Sequence, residues 1–186
     1  SDFIGTWVAG LRDLVRELIG KADIVKMNHH ELIEIMPWFG DAATTDRAAA
    51  MRWLVGVIEP VATVPLSIDS SSPAVLRAGV EAVRGSAGRP LINSASLERP
   101  EVLDYAAEAG CPVVLSAAGS GSLPSGAEER VTNARRMVER ATARGIRPDQ
   151  LFIDPLVLPA AVRSEATAEV LAAVGELRRT LGKEIY

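Results

Sequence analysis

Apolar runs rich in β-branched residues recur along the chain at residues 22–28, 64–70, 90–96, 112–117 and 151–158. Four of them are nearly continuous rather than alternating, the pattern of strands buried on both faces of a parallel sheet. Between them, residues 73–83, 100–109, 127–143 and 165–181 carry helical spacing. Within 127–143, Val131, Ala134, Val138 and Ala141 fall on one side, while Arg135, Arg136, Glu139 and Arg140 take the others. Val170, Val174, Leu177 and Leu181 repeat the arrangement in the last helix. Ser72 before Pro73 predicts an N-cap with proline at the first helical position, and Ser125 with Glu128 fits an S-x-x-E capping box. Gly110 and Gly145 close two helices, and residues 182–186 read as the opening of a further strand. Repeated β/α alternation predicts an α/β fold with a parallel sheet.

The polar residues follow the same rhythm. Asn28, Asp69 with Ser70, Asn93 with Ser94, Ser116 and Asp154 each stand at the C-terminal end of an apolar run. In a β/α barrel these ends converge on one mouth, whereas an open doubly wound sheet gathers ligands only at its switch point. Five polar strand ends favour the barrel, with Asp69, Asn93 and Asp154 facing one pocket. Asp69 in VPLSIDSSSP and Asp154 in LFIDPLVLP follow strands where an unpaired carboxylate is costly. Pro155 holds Asp154 in extended backbone. Asn93 adds one acceptor and two donor hydrogens. A ligand edge with adjacent N–H groups and a carbonyl matches this trio, each ionised acceptor contributing roughly 1.5–3 kcal/mol. Plainer roles stand beside this one: Asp69 can bond the Ser-rich turn before Pro73, and Asp154 can fix the Pro155 turn.

Composition narrows the partners. The 186 residues, 48% apolar and 24% charged, suit one globular domain. Twenty basic against 24 acidic residues give a net charge of −4, without the basic surplus that nucleic acid or an anionic membrane needs. Aromatics at 4% leave no base-stacking platform. No apolar run approaches the ~20 residues of a membrane span, and SDFIGTW lacks the basic start of a secretory signal. A cytoplasmic setting is expected. Cys111 reads as a small buried apolar residue, and Trp38, Phe39 and Trp53 as packing between helix and barrel. His29 and His30 with Glu31 and Glu34 have no third ligand placed by spacing, so no metal is expected. The GSGS stretch at 119–122 lacks the lysine of a P-loop and reads as a flexible loop.

The three segments VPLSIDSSSPAVLRAGVEAV, RPLINSAS and DQLFIDPLVLP, in that order, resemble the pterin-binding family of β/α barrels. More narrowly they are similar to methyltetrahydrofolate:corrinoid methyltransferases and to the folate domain of cobalamin-dependent methionine synthase. The related dihydropteroate synthases more typically carry Asn-Asp at the second segment and Gly after Asp-Pro, where this chain has Ser94 and Leu156. The resemblance therefore favours methyl transfer over pterin condensation. It implies a TIM-type (β/α)8 barrel, apparently incomplete at about six of eight units. Residues 1–186 form a single domain in this reading, with 1–40 as a divergent N-terminal segment. KADIVKMNHHELIEI in that segment is similar to part of a ribokinase-type sugar kinase, without the anion hole and catalytic Asp such a kinase needs.

The activity implied is transfer of the N5 methyl group of methyltetrahydrofolate to the cobalt of a corrinoid (cobalamin) held on a partner domain or protein. Asp69, Asn93, Asp154, Asn28, Ser70 and Ser94 are the implied pterin-binding residues. Asn93 and Asp69 are the implied catalytic pair, acting by positioning, because N5 leaves poorly unless protonated and an ordinary carboxylic acid has no proton to give at neutral pH. Alternatives are a non-catalytic or truncated pterin-binding domain and a dihydropteroate synthase-like enzyme. A partial barrel exposes parallel edges, so a homodimer is expected. The family's Glu-Arg-Ile-Asn strand is not recognisable in SDFIGTW, Lys26 stands where an acid is usual, and no Ser-Asn strand precedes the end at GKEIY. Methyl transfer by these 186 residues alone is accordingly expected to be weak or absent. The check is corrinoid absorbance with methyltetrahydrofolate and reduced cobalamin; turnover in the usual ~1–1,000 per second would overturn it.

Overall fold

Parallel strands cannot be joined by a two-residue turn, so each needs a crossover that returns the chain to the same end of the sheet. The computed structural model of the chain, which describes residues 25–28, 46–85, 87–157, 166–182 and 184–186, follows this rule in two compact units, Ser1–Leu91 and Ile92–Tyr186.

In the first unit, β1 (Val25–Asn28) pairs in parallel with β2 (Leu66–Asp69), setting Val25 opposite Leu66 and Asn28 opposite Asp69. Helix α1 (Arg47–Ile58) packs on α2 (Pro73–Ala82), which lies against β2. The apolar pattern does not predict α1, because AAAMRWLVGVI is apolar almost throughout and blurs the helical period. Its signals lie at the ends: the Asp46 carboxylate accepts the Ala48 and Ala49 N–H groups at 2.9 and 3.1 Å, and Pro60 follows soon after Ile58. Ser72 occupies the N-cap of α2, with Pro73 next, but its side chain makes no capping bond. The Ser70 hydroxyl accepts the Ser72 N–H instead, at 3.1 Å. Past the end of α2, the buried Glu59 carboxylate accepts the Arg84 and Gly85 N–H groups at 2.7 and 2.9 Å.

In the second unit, β3 (Leu91–Ala95), β4 (Val113–Ser116) and β5 (Leu151–Asp154) pair in sequence order, all parallel. Helices α3 (Glu101–Ala109), α4 (Ala127–Thr142) and α5 (Ala166–Leu181) complete it. Gly110 and Gly145 follow α3 and α4 with φ of 62° and 81°, the left-handed closure that glycine takes without a Cβ clash. Val131, Ala134, Val138 and Ala141 are buried on α4, as their spacing predicts. On α5 the buried stripe is turned slightly: Val170 and Leu177 are inside, but Ala173 replaces Val174, which is 46% exposed. Ala117, Val131, Ala134, Ala173 and Leu177 form one apolar cluster where α4 meets α5 and β4. Cys111 is buried. No strand is assigned among the described residues of 182–186, but Tyr186 alone pairs with β5 as a strand would: its N–H donates to Leu151 O (3.0 Å) and its carbonyl accepts the Ile153 N–H (2.6 Å). The Tyr186 ring stacks on Phe152 with centroids 5.4 Å apart.

Among the described residues no helix is long and apolar enough to cross a membrane. His29, His30, Glu31, Glu34, Trp38 and Phe39, with residues 22–24, 158 and 165 of the expected elements, lie outside the described residues.

Gly79 on α2 marks the closest approach in the first unit. A Cβ there would sit 2.6 Å from Ile68 Cγ2 and 2.8 Å from Met51 Cγ, both side chains fully buried. Overpacking of this kind costs about 1–3 kcal/mol, against a gain of about 1 kcal/mol in helix propensity. Gly79→Ala is therefore expected to lower stability by up to about 2 kcal/mol, read as a lower denaturation midpoint in urea.

Candidate functional site

The strand ends place the expected residues in two groups. In the first unit, Asn28 and Asp69 are direct cross-strand partners at the ends of β1 and β2. Ser70 follows, buried, with its oxygen engaged by the turn into α2.

In the second unit, Ser116 and Asp154 are partners at the ends of β4 and β5. Asn93 pairs with Val114, and the register then shifts so that Ala95 meets Leu115, leaving Ser94 as an extra residue. A bulge of this kind re-aims side chains next to it. Through Val114, Asn93 lies level with Phe152. It is thus two strands from Asp154, about 10 Å across, and two residues, about 7 Å, deeper.

The hydrogen-bonding capacity left at these positions differs. Asn93 is half-buried and makes no side-chain hydrogen bond among the described residues. The Ser94 hydroxyl meets Arg99 Nη2 only at 3.5 Å, and the buried Ser116 hydroxyl accepts the Ala118 N–H at 3.4 Å. Asp154, also half-buried, accepts the Leu156 N–H on Oδ1 at 2.9 Å, the turn-fixing role anticipated for it, while Oδ2 has no donor among the described residues. Leu156 itself has φ of +61°, a conformation that costs a non-glycine residue roughly 1–2 kcal/mol.

The loops beyond these strand ends are tied together by residues that sequence reading missed. Glu98, after β3, accepts the Gly121 N–H of the loop after β4 at 2.5 Å. Gly119 in that loop donates to Ser122 O, and a Cβ on it would come within 3.1 Å of that oxygen. The GSGS stretch is thus tied at two of its glycines. Asn133 Nδ2 on α4 donates to Ala117 O at 3.1 Å. Arg130, wholly buried, donates from Nε to Pro155 O at 2.9 Å and from Nη1 to Gly126 O at 3.0 Å. Its Nη2 reaches Leu156 O at 3.4 Å, and Nη1 lies 3.5 Å from Glu169 Oε2. The available signal was spacing, since Arg130 shares the buried face of Ala134, Met137 and Ala141.

The capping box expected of Ser125 and Glu128 does not form: the helix begins at Ala127 with Gly126 as its N-cap and no side-chain cap, so Ser125 lies one residue before the N-cap and Glu129, not Glu128, takes the third helical position. Glu129 Oε2 accepts both the N–H and the hydroxyl of Ser125 at 2.8 Å. The bond from the Ser125 backbone, then that from its hydroxyl, holds this carboxyl below its ordinary value of 4.5. A depressed carboxyl contributes stability above the unfolded-state value and loses it as pH falls through the folded one. Glu129→Gln is expected to flatten the decline in thermal midpoint below about pH 4.5 relative to the parent chain, read from melting curves across an acid series.

Comparison with known proteins supplies the context. The chain matches the family described as pterin binding enzyme over residues 39–186. It is similar to a methylcorrinoid:tetrahydrofolate methyltransferase of Eubacterium limosum, 24% identical over 142 residues, covering 74% of this chain and 49% of that protein. It is also similar to a methionine synthase of Mycobacterium tuberculosis, 25% identical over 167 residues, covering 84% of this chain and 14% of that protein. Among solved structures, a Yersinia pestis dihydropteroate synthase with a pterine-sulfa conjugate has a TM-score of 0.65 at 23% identity, covering 92% of this chain and 64% of that one. A Xanthomonas albilineans dihydropteroate synthase with 4-aminobenzoic acid has a TM-score of 0.53 at 25% identity, covering 96% and 62%. The chain thus spans about half the length of the first curated relative and less than two thirds of these solved chains. The structural likeness shows the fold, an α/β fold with parallel strands resembling dihydropteroate synthase TIM barrels. The ribokinase-like reading of residues 1–40 is not supported: the methionine synthase alignment covers 84% of the chain, more than residues 41–186 alone can supply. A family match running from residue 39 to residue 186, on this fold of parallel strands, makes the chain a member of the pterin-binding enzyme family.

Proposed function

We propose that this chain binds the pterin of a tetrahydrofolate and serves methyl transfer between N5 of that folate and a corrinoid on another domain or protein. The observation that carries this reading is the sequence relationship to a methylcorrinoid:tetrahydrofolate methyltransferase over 74% of the chain. Asp154 Oδ2 and the Asn93 amide, both without a hydrogen-bond partner among the described residues, support it. An ionised acceptor suits the N–H edge of a pterin, and an amide suits an edge where a donor and an acceptor adjoin. A bicyclic ring with its substituent is long enough to meet both residues at the spacing their strands impose.

In this proposal Asp69, Asn93 and Asp154 orient the ring, with Asn28, Ser70 and Ser94 as further contacts. Asn93 and Asp69 lie closest to N5 and act by positioning. The corrinoid supplies the metal that exchanges the methyl group. A cytoplasmic setting and a homodimer belong to the same reading.

Calorimetric titration with tetrahydrofolate tests it. Asp154→Asn turns an acceptor toward ligand donors into a donor, and is expected to weaken binding about ten- to a hundredfold, equivalent to roughly 1.5–3 kcal/mol. Equal binding by parent and variant would remove Asp154 from the site. Condensation of a pterin with 4-aminobenzoate by the parent chain, without methyl transfer, would instead favour the dihydropteroate synthase-like alternative.

A further inference from the structure

We propose that Arg130 is a positioning residue for Asp154. Its buried guanidinium holds the backbone of Pro155 and Leu156 so that the Leu156 N–H fixes one carboxylate oxygen and leaves the other for a ligand. The proposal rests on the reading of Asp154 as a pterin ligand.

Arginine is almost never wholly buried unless its donors are matched, and here three backbone carbonyls and one carboxylate face them. The Glu169 contact at 3.5 Å is an ion pair rather than an aligned hydrogen bond. Two of the three carbonyls belong to the residues immediately after Asp154. The second of these, Leu156, is the non-glycine residue with positive φ among the described residues, a state that persists only where surrounding contacts over-determine it. Its carbonyl is held by Arg130 and its N–H by Asp154 Oδ1. Loss of the fork lets Leu156 relax to negative φ. The peptide before it then turns, and the N–H no longer aims at Asp154. A glycine in place of Leu156 takes the same φ freely, so it removes the need for the restraint.

This coupling separates positioning from general support of the fold. Three variants are compared with the parent chain: Arg130→Lys, which keeps the charge but lacks the fork, Leu156→Gly, and the double variant. The first readout is hydrogen exchange at the backbone amide of position 156, without ligand. Protection is expected to fall about tenfold or more in Arg130→Lys, and in the double variant to return to within about threefold of its value in Leu156→Gly. The second is tetrahydrofolate affinity, expected to weaken about tenfold in Arg130→Lys and to recover in the double variant. Unchanged protection in Arg130→Lys, or equal loss in the single and double variants, overturns the proposal. Should Arg130→Lys not fold, folding of the double variant supports the proposal, and failure of both overturns it. Should the parent chain not bind tetrahydrofolate, the function proposed above fails, while the exchange comparison still decides the role of Arg130.

Discussion

Strands that pair in parallel and lie buried leave little room for polar chemistry along their length. Ile68 on β2, Ile92 on β3, Val113 and Leu115 on β4 and Leu151 on β5 are all within the core. A polar side chain among them would lose its hydration without a partner. The places where polarity is tolerated are the points at which the backbone leaves the sheet, and parallel pairing puts every such exit on one side of each unit. Asp69, Ser116 and Asp154 occupy those exits, and Asn93 lies two residues inside β3, beside the bulge at Ser94. The arrangement follows from how the strands pair and would arise whatever the ligand, which is why strand ends recur as sites in folds of this class.

Exits alone do not make a site, because loops are mobile unless held. In the second unit the restraint comes largely from polar residues of α4 that face inward. Arg130 and Asn133 sit near the start of that helix, among Val131, Ala134 and Met137, and donate to carbonyls of the loops after β5 and β4. Glu98 and Glu129 add acceptors for N–H groups of the loop after β4. One helix face thus fills two roles, with apolar residues on the cluster it shares with α5 and polar ones toward the loops.

The strands were legible because a short, continuous, β-branched apolar run suits little besides a strand buried on both faces, and Asn28, Asp69 and Asp154 stood out as their ends, whereas β3 runs two residues past Asn93. Legibility fell where two signals compete. Helix α1 is hidden by its own apolarity. On α5, Ala173 and Val174 are both apolar, and which one packs depends on the neighbouring helix rather than on spacing. The S-x-x-E pattern at Ser125 and Glu128 sets the N-cap one residue too early, and only the helix start after Gly126 brings Glu129 to Ser125. Arg130 was illegible for a different reason: charged residues on an amphipathic helix are read as solvated, and its partners are backbone carbonyls, which no side-chain pattern reports. The bulge at Ser94 likewise depends on pairing with β4.

The short stretch at Ile185 and Tyr186 guards the outer edge of β5. Both backbone groups of Tyr186 are engaged by Leu151 and Ile153, and its ring lies over Phe152. Displacement of these two residues from the strand would uncover a carbonyl, an N–H and an aromatic face along β5, the combination that recruits foreign strands. Self-association during storage or purification would then report on the seating of Ile185 and Tyr186 rather than on the stability of the core.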